Sequence, residues 1–123
     1  MAEPGVENAN RAKVNYMLNC QGCHGPDGTG TNDGSVPTMK NFLGNFLHVE
    51  GGREFLVRVP GSANAAMSDA ALAEVLNWML PKISKQQMPR DFKPYTAQEV
   101  KRLRAQPLQD VIGERERLIE LME

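Results

Sequence analysis

The stretch Cys20-Gln21-Gly22-Cys23-His24 governs how the rest of the chain is read. Two thiols three positions apart, followed at once by a histidine, form the attachment signature of a c-type haem. Each thiol adds to one vinyl group on the same porphyrin edge, and one turn of chain between them matches that separation. His24 then emerges beneath the ring, where an imidazole nitrogen can bind the iron from the proximal side. The motif contains both cysteines of the chain, so the expected cofactor is one haem c and no disulfide remains.

Two other chemistries use parts of this motif. A thioredoxin-like dithiol also has the C-x-x-C form, but it belongs between a strand and a helix in a βαβ unit. Here a helical pattern precedes the motif and a Gly-rich stretch, Gly25 to Gly34, follows it. A zinc site needs four ligands, and beyond the acidic residues the chain offers only Cys20, Cys23, His24 and His48. Adjacent Cys23 and His24 do not easily point at one small ion.

At 123 residues the chain is expected to form one domain, with a core over about residues 6–106 and an extension over 107–123. Such a domain buries a modest core, to which a haem adds a large apolar plate. No apolar run reaches the length of a transmembrane helix. Met1-Ala2-Glu3-Pro4-Gly5 reads as the start of a chain whose signal has been removed, which points to the periplasm. The formal charge of −1 argues against general affinity for nucleic acid or anionic membrane.

The spacing predicts a helix from Val6 to Asn19, with Ala9, Ala12, Tyr16, Met17 and Cys20 on one face. Phe42, Leu43, Phe46 and Leu47 suggest a short helix or packed turn, and Phe55, Val57 and Val59 suggest pocket contacts rather than a strand. Ser68 caps the clearest helix, whose stripe is Leu72, Val75, Leu76, Met79 and Leu80, and Pro81 is expected to stop it. After an irregular segment, Lys82 to Lys93, the capping box Thr96-Ala97-Gln98-Glu99 opens another helix, ending before Pro107. Val111, Ile112, Leu118, Ile119 and Met122 trace a last helical face, weakened by Gly113.

In this order the parts resemble the class I cytochrome c family over roughly residues 6–105. The resemblance implies an all-α fold, helices wrapped around one covalently bound haem, here with an extra C-terminal helix. It implies a helix, the attachment motif, then an axial-methionine loop followed by a terminal helix, placed here at Lys82–Lys93 and Ala97–Gln106. Tyr16 stands where the family has an aromatic packed on the terminal helix. Pro37 stands where a proline carbonyl accepts the proximal histidine's N–H, a bond that would orient His24 and make it more electron-donating. Ala12 departs from the glycine often found in the family's first helix.

Among seven methionines and His48, Met88 is the expected sixth ligand, because it lies in an irregular loop between two helices and precedes a proline. Met67, just before the Ser68 cap, is its rival, with Met39 behind; Met17 and Met79 read as core. Arg53 and Arg58 are candidate partners for the haem propionates, whose carboxylates suit a guanidinium fork, and Trp78 could donate its N–H to one. Between Lys82 and Arg104 stand seven basic and two acidic residues; Lys101, Arg102 and Arg104 read as a solvated helix face.

The expected function is one-electron transfer, not enzymatic catalysis, by a monomer serving redox proteins: a periplasmic dehydrogenase as donor, an oxidase or membrane cytochrome as acceptor. His–Met ligation fills both axial positions and raises the potential. The alternatives are a haem sensor or small peroxidase with a displaceable sixth ligand, and a cytochrome subunit fixed within an oxidoreductase complex.

Overall fold

The computed structural model describes residues 4–122; the reading of the chain start rests partly on residues 1–3, which lie outside them. Seven α-helices follow one another among the described residues, with no strand: α1 (Ala9–Asn19), α2 (Gln21–His24), α3 (Gly52–Arg58), α4 (Pro60–Ala63), α5 (Asp69–Ile83), α6 (Ala97–Arg104) and α7 (Val111–Met122). Short 3₁₀ turns at Leu43–His48 and Lys85–Gln87 join them.

The fold is organised by the crossing of α1 and α5. Ala12 and Tyr16 are the buried positions of α1, and the Tyr16 ring packs against Trp78 of α5 with centroids 6.0 Å apart. Glu74 of α5 is buried, yet every oxygen is used: it accepts from the backbone of Glu7 and Asn8 and from Arg11 Nε and Nη2 at 2.9 Å. Removing a carboxylate from water is costly unless it is paired and hydrogen-bonded, so this cluster pins the entry of α1 onto α5. Asn77 does the same for the next junction, donating to Tyr95 O and accepting from Tyr95 N at 2.7 Å.

This crossing corrects the expected terminal helix. The helix packed on Tyr16 is α5, and α6 instead packs on α5 and α3. Two boundaries also differ. The helix after Ser68 does not stop at Pro81 but runs on to Ile83: the proline removes one donor, but buried Leu80 and Ile83 and the acceptance of Asn41 N by Ile83 O at 2.7 Å hold the last turn in place. The first helix begins at Ala9, where Asn8 caps the Arg11 amide.

Met17 is half exposed rather than core, and Ile112 is exposed rather than on the buried face of α7. Leu118 of α7 is fully buried, so the extension packs onto the domain, against α3 and the Leu43–His48 turn. Phe55 and Val57 belong to helix α3 and are buried.

Candidate haem site

The attachment motif is a single helical turn set at an angle to α1. Cys20 ends α1 in a non-helical conformation, and its carbonyl accepts the amides of Cys23 (3.2 Å) and His24 (3.0 Å). Gly25 then takes a positive φ, and its carbonyl accepts the Tyr16 hydroxyl at 2.7 Å. The core aromatic of α1 thereby fixes the exit of the motif. His24 O accepts Gly30 N at 2.9 Å, and Gly30 allows the chain to close there. It has φ +82°, and a Cβ at this position would stand 2.9 Å from Pro37 O and closer still to Val36 O.

Beside the motif lies a cavity of about 300 Å³. Cys20, Cys23, His24 and Pro37 line one part of it; Phe46, Phe55, Leu56, Val59, Leu72, Val75 and Leu76 supply apolar walls from the middle of the chain. Cys20 is half-buried, which pushes its thiol pKa up, and Cys23 is exposed. Burial also lowers the His24 pKa, so the imidazole is neutral at pH 7 with a lone pair free to bind a metal.

His24 Nδ1 is the one buried side-chain nitrogen or oxygen without a partner among the described residues. The expected bond from His24 to the Pro37 carbonyl is therefore not made, although both residues line the cavity. A buried imidazole nitrogen is rarely left without a partner unless the group has further chemistry to perform. An orphaned, neutral histidine next to two thiols on an apolar cavity fits a covalently held haem. Among the described residues no group of three His, Cys, Asp or Glu side chains is arranged to hold a metal ion, which leaves the zinc reading without a ligand set.

The other expected site residues are not brought to the cavity. Arg53 is held by Glu99, with Nε–Oε2 and Nη2–Oε1 distances of 2.7 Å, donates to Lys93 O, and stacks on Tyr95 at 4.1 Å. Arg58 donates to Gln106 O. Trp78 faces Tyr16 and Lys82 on the far side of α5. All three are engaged within the protein, away from the lining. The cation that lines the cavity is Arg115, over Phe42, on α7.

Two methionines line the cavity, Met39 and Met79. Met39 shares the loop of His24, its amide donating to Gly28 O at 2.7 Å, and Met79 is fixed in the stripe of α5, between the cavity and Tyr16. Met67 and Met88 are partly buried against the core but outside the lining. His48 is exposed and pairs with Gln87 O at 2.7 Å.

Sequence reasoning missed Arg104 as well as Arg115. Arg104 is not a solvated cation: its side chain is 14% exposed and paired with Asp69. The signal was its spacing, four positions after buried Val100 and next to buried Leu103.

An all-helical domain closed around an apolar cavity, with C-x-x-C-H on its wall, defines a c-type haem protein. A profile of the cytochrome c family matches residues 9–112. Two forms of cytochrome c-552 from Thermus thermophilus are each 34% identical to this chain. Each alignment spans 130 positions and 89% of this chain, with 97% of one relative and 86% of the other. The chain belongs to the cytochrome c family, whose class I members are electron-transfer proteins with a covalently bound haem. No helix among the described residues is long and apolar enough to cross a membrane.

Proposed function

We propose that the chain carries single electrons on one haem c attached through Cys20 and Cys23, with His24 and Met67 as axial ligands. Its partners would be a periplasmic dehydrogenase and a downstream oxidase or membrane cytochrome. The observation that carries the reading is His24, whose buried Nδ1 has no partner, standing beside two thiols on the wall of the apolar cavity. When bound, haem supplies an iron that cycles between ferric and ferrous states.

The residues around it have separate tasks. His24 offers a neutral donor. The apolar walls exclude water and so disfavour extra positive charge on the iron, which raises the potential. Arg115 offers a guanidinium to the propionates. Lys85, Arg90 and Lys93, all exposed, give an acidic partner a basic face.

Met67 replaces Met88 as the proposed sixth ligand. In the family pattern the methionine loop comes before the helix that the first helix's aromatic packs on. With α5 in that place, the loop is Pro60–Ser68 and its methionine is Met67.

The test is the purified protein itself. Its mass should exceed that of the bare chain by one haem, its redox titration should follow a single one-electron wave, and the ferrous form should ignore carbon monoxide. A chain without haem would refute the reading. Neither Met67 nor Met88 lining the cavity favours a second reading, a sensor or small peroxidase with an open sixth position. Tight carbon monoxide binding at neutral pH would select it.

A further inference from the structure

Arg104, the last residue of α6, makes more contacts to one short segment than any helix-face cation needs. Its Nε donates to Ala63 O at 3.3 Å, Nη1 to Met67 O at 2.8 Å and to Asp69 Oδ1 at 3.2 Å, and Nη2 to Ala65 O at 2.5 Å. One planar guanidinium thus gathers three carbonyls from five consecutive residues, together with the first residue of α5. The segment's amides turn inward on local acceptors, Asn64 N on Pro60 O, Ala65 N on Ser62 O and Met67 N on Ala65 O, while its side chains add little. Ala63, Asn64, Ala65 and Ala66 carry short side chains with almost no packing area, and the helix α4 ends at Ala63. Carbonyls leaving a short helix are normally satisfied by water or a cap; here those of Pro60 and Ser62 take local amides and that of Ala63 takes Arg104 from another helix.

We propose that Arg104 is the positioning residue for the sixth haem ligand: by fixing the backbone of Ala63–Met67 it holds Met67 for the iron in both oxidation states. The proposal rests on the reading of Met67 as that ligand. A thioether is a weak, uncharged ligand, and one carried on a loose loop of alanines is easily displaced by an external ligand. A fork of five fixed donors suits several carbonyls at once, which a lysine ammonium does not. Asp69 keeps the guanidinium charge paired while its donors serve the loop.

The experiment uses the haem-loaded protein and three variants, Arg104→Ala, Arg104→Lys and Met67→Ala. Covalent haem is read by mass, folding by far-ultraviolet circular dichroism, ligation by the long-wavelength sulfur-to-iron band of the oxidised form, and access by carbon monoxide added to the reduced form. Arg104→Ala is expected to keep its haem and helices, lose most of the band, and bind carbon monoxide, as Met67→Ala does; Arg104→Lys should retain part of the band. If Arg104→Ala keeps the full band and ignores carbon monoxide while Met67→Ala loses the band, the positioning role is overturned and the ligand reading stands. If Met67→Ala keeps the band, the ligand is elsewhere and the proposal falls with it. Should Arg104→Ala fail to fold, Arg104→Lys decides: a weakened band supports the proposal and an unchanged one overturns it.

Discussion

On the His24 side of the cavity, residues 25–39 are held by their own neighbours. Gly25, Gly28, Gly30 and Gly34 take positive φ, Gly30 N reaches His24 O, Thr31 N reaches Val36 O, and Met39 N returns to Gly28 O. Residues 63–67 also make local backbone bonds, but the carbonyls of Ala63, Ala65 and Met67 are tied in addition to a guanidinium about forty positions further along. Both stretches are irregular and both adjoin the proposed ligands. A loop fixed by local backbone bonds alone carries its instructions in its own residues, whereas one that also leans on a distant side chain hides part of them elsewhere in the sequence. A change on the first side should therefore alter stability, and a change on the second should alter ligation.

The largest effect comes from removing what both sides are built around. A cavity of about 300 Å³, left unfilled at ~24 cal/mol per Å³, would cost about 7 kcal/mol. That rivals the whole stability of a small domain, about 5–15 kcal/mol. Cys20→Ser combined with Cys23→Ser, produced without haem, should give a largely disordered circular-dichroism spectrum. A cooperative thermal melt in that variant would contradict the account.

Next is a change confined to the His24 side. Gly30→Ala places a side chain at φ +82° against Val36 O and Pro37 O, which should cost about 1–3 kcal/mol. Denaturant unfolding of the haem-loaded protein measures it, and the sulfur-to-iron band should survive. Loss of the band at native stability would erase the distinction between the two sides.

A smaller change acts on the other side. Ser68 Oγ accepts Ala71 N at 3.1 Å and begins α5 directly after Met67. Ser68→Ala should cost ~1 kcal/mol, and a temperature series should show the sulfur-to-iron band fading before the helices melt. Fading together would mean that the Met67 segment is no looser than the rest.

The smallest effect tests the crossing on which both sides depend. Hydrogen bonding from Arg11, then the Asn8 and Glu7 amides and the Arg11 charge, holds the Glu74 carboxyl below its ordinary value of 4.5. A carboxyl with a lowered folded-state pKa contributes stability that is fully present above the unfolded value and lost as pH falls through the folded one. Melting temperatures of the native protein should therefore decline below about pH 4.5, and Glu74→Gln should flatten that decline. Equal slopes would remove Glu74 from the crossing.

The attachment motif, the all-helical class, the Ser68 and Thr96 caps and the Leu72–Leu80 stripe were legible because each is a pattern within a few residues. Which helix packs on α1 was not. The patterns of α5 and α6 are both good, and only the pairing of Glu74 with Arg11 and of Trp78 with Tyr16, across more than sixty positions, separates them. The choice of sixth ligand depends on the same pairing, and the proposal of Met67 over Met88 follows from it. The partners of Arg53 and Arg58 were hidden for a related reason: a guanidinium in a sequence shows its charge but not its partner, and here Glu99 and Gln106 O engage these two. Arg115 lay in an extension with no counterpart in the family pattern, so nothing in its neighbours marked it as part of the cavity wall.

The central claim is that the chain holds its haem between His24 and the methionine ahead of α5. The most direct measurement is the optical spectrum of the oxidised, haem-loaded protein as Met67→Ala and as Met88→Ala, recorded side by side at neutral pH. The account predicts that the sulfur-to-iron band disappears in Met67→Ala and persists in Met88→Ala. The reverse pattern would contradict it, returning the ligand to the Lys82–Lys93 segment and leaving the Arg104 contacts without a role in ligation.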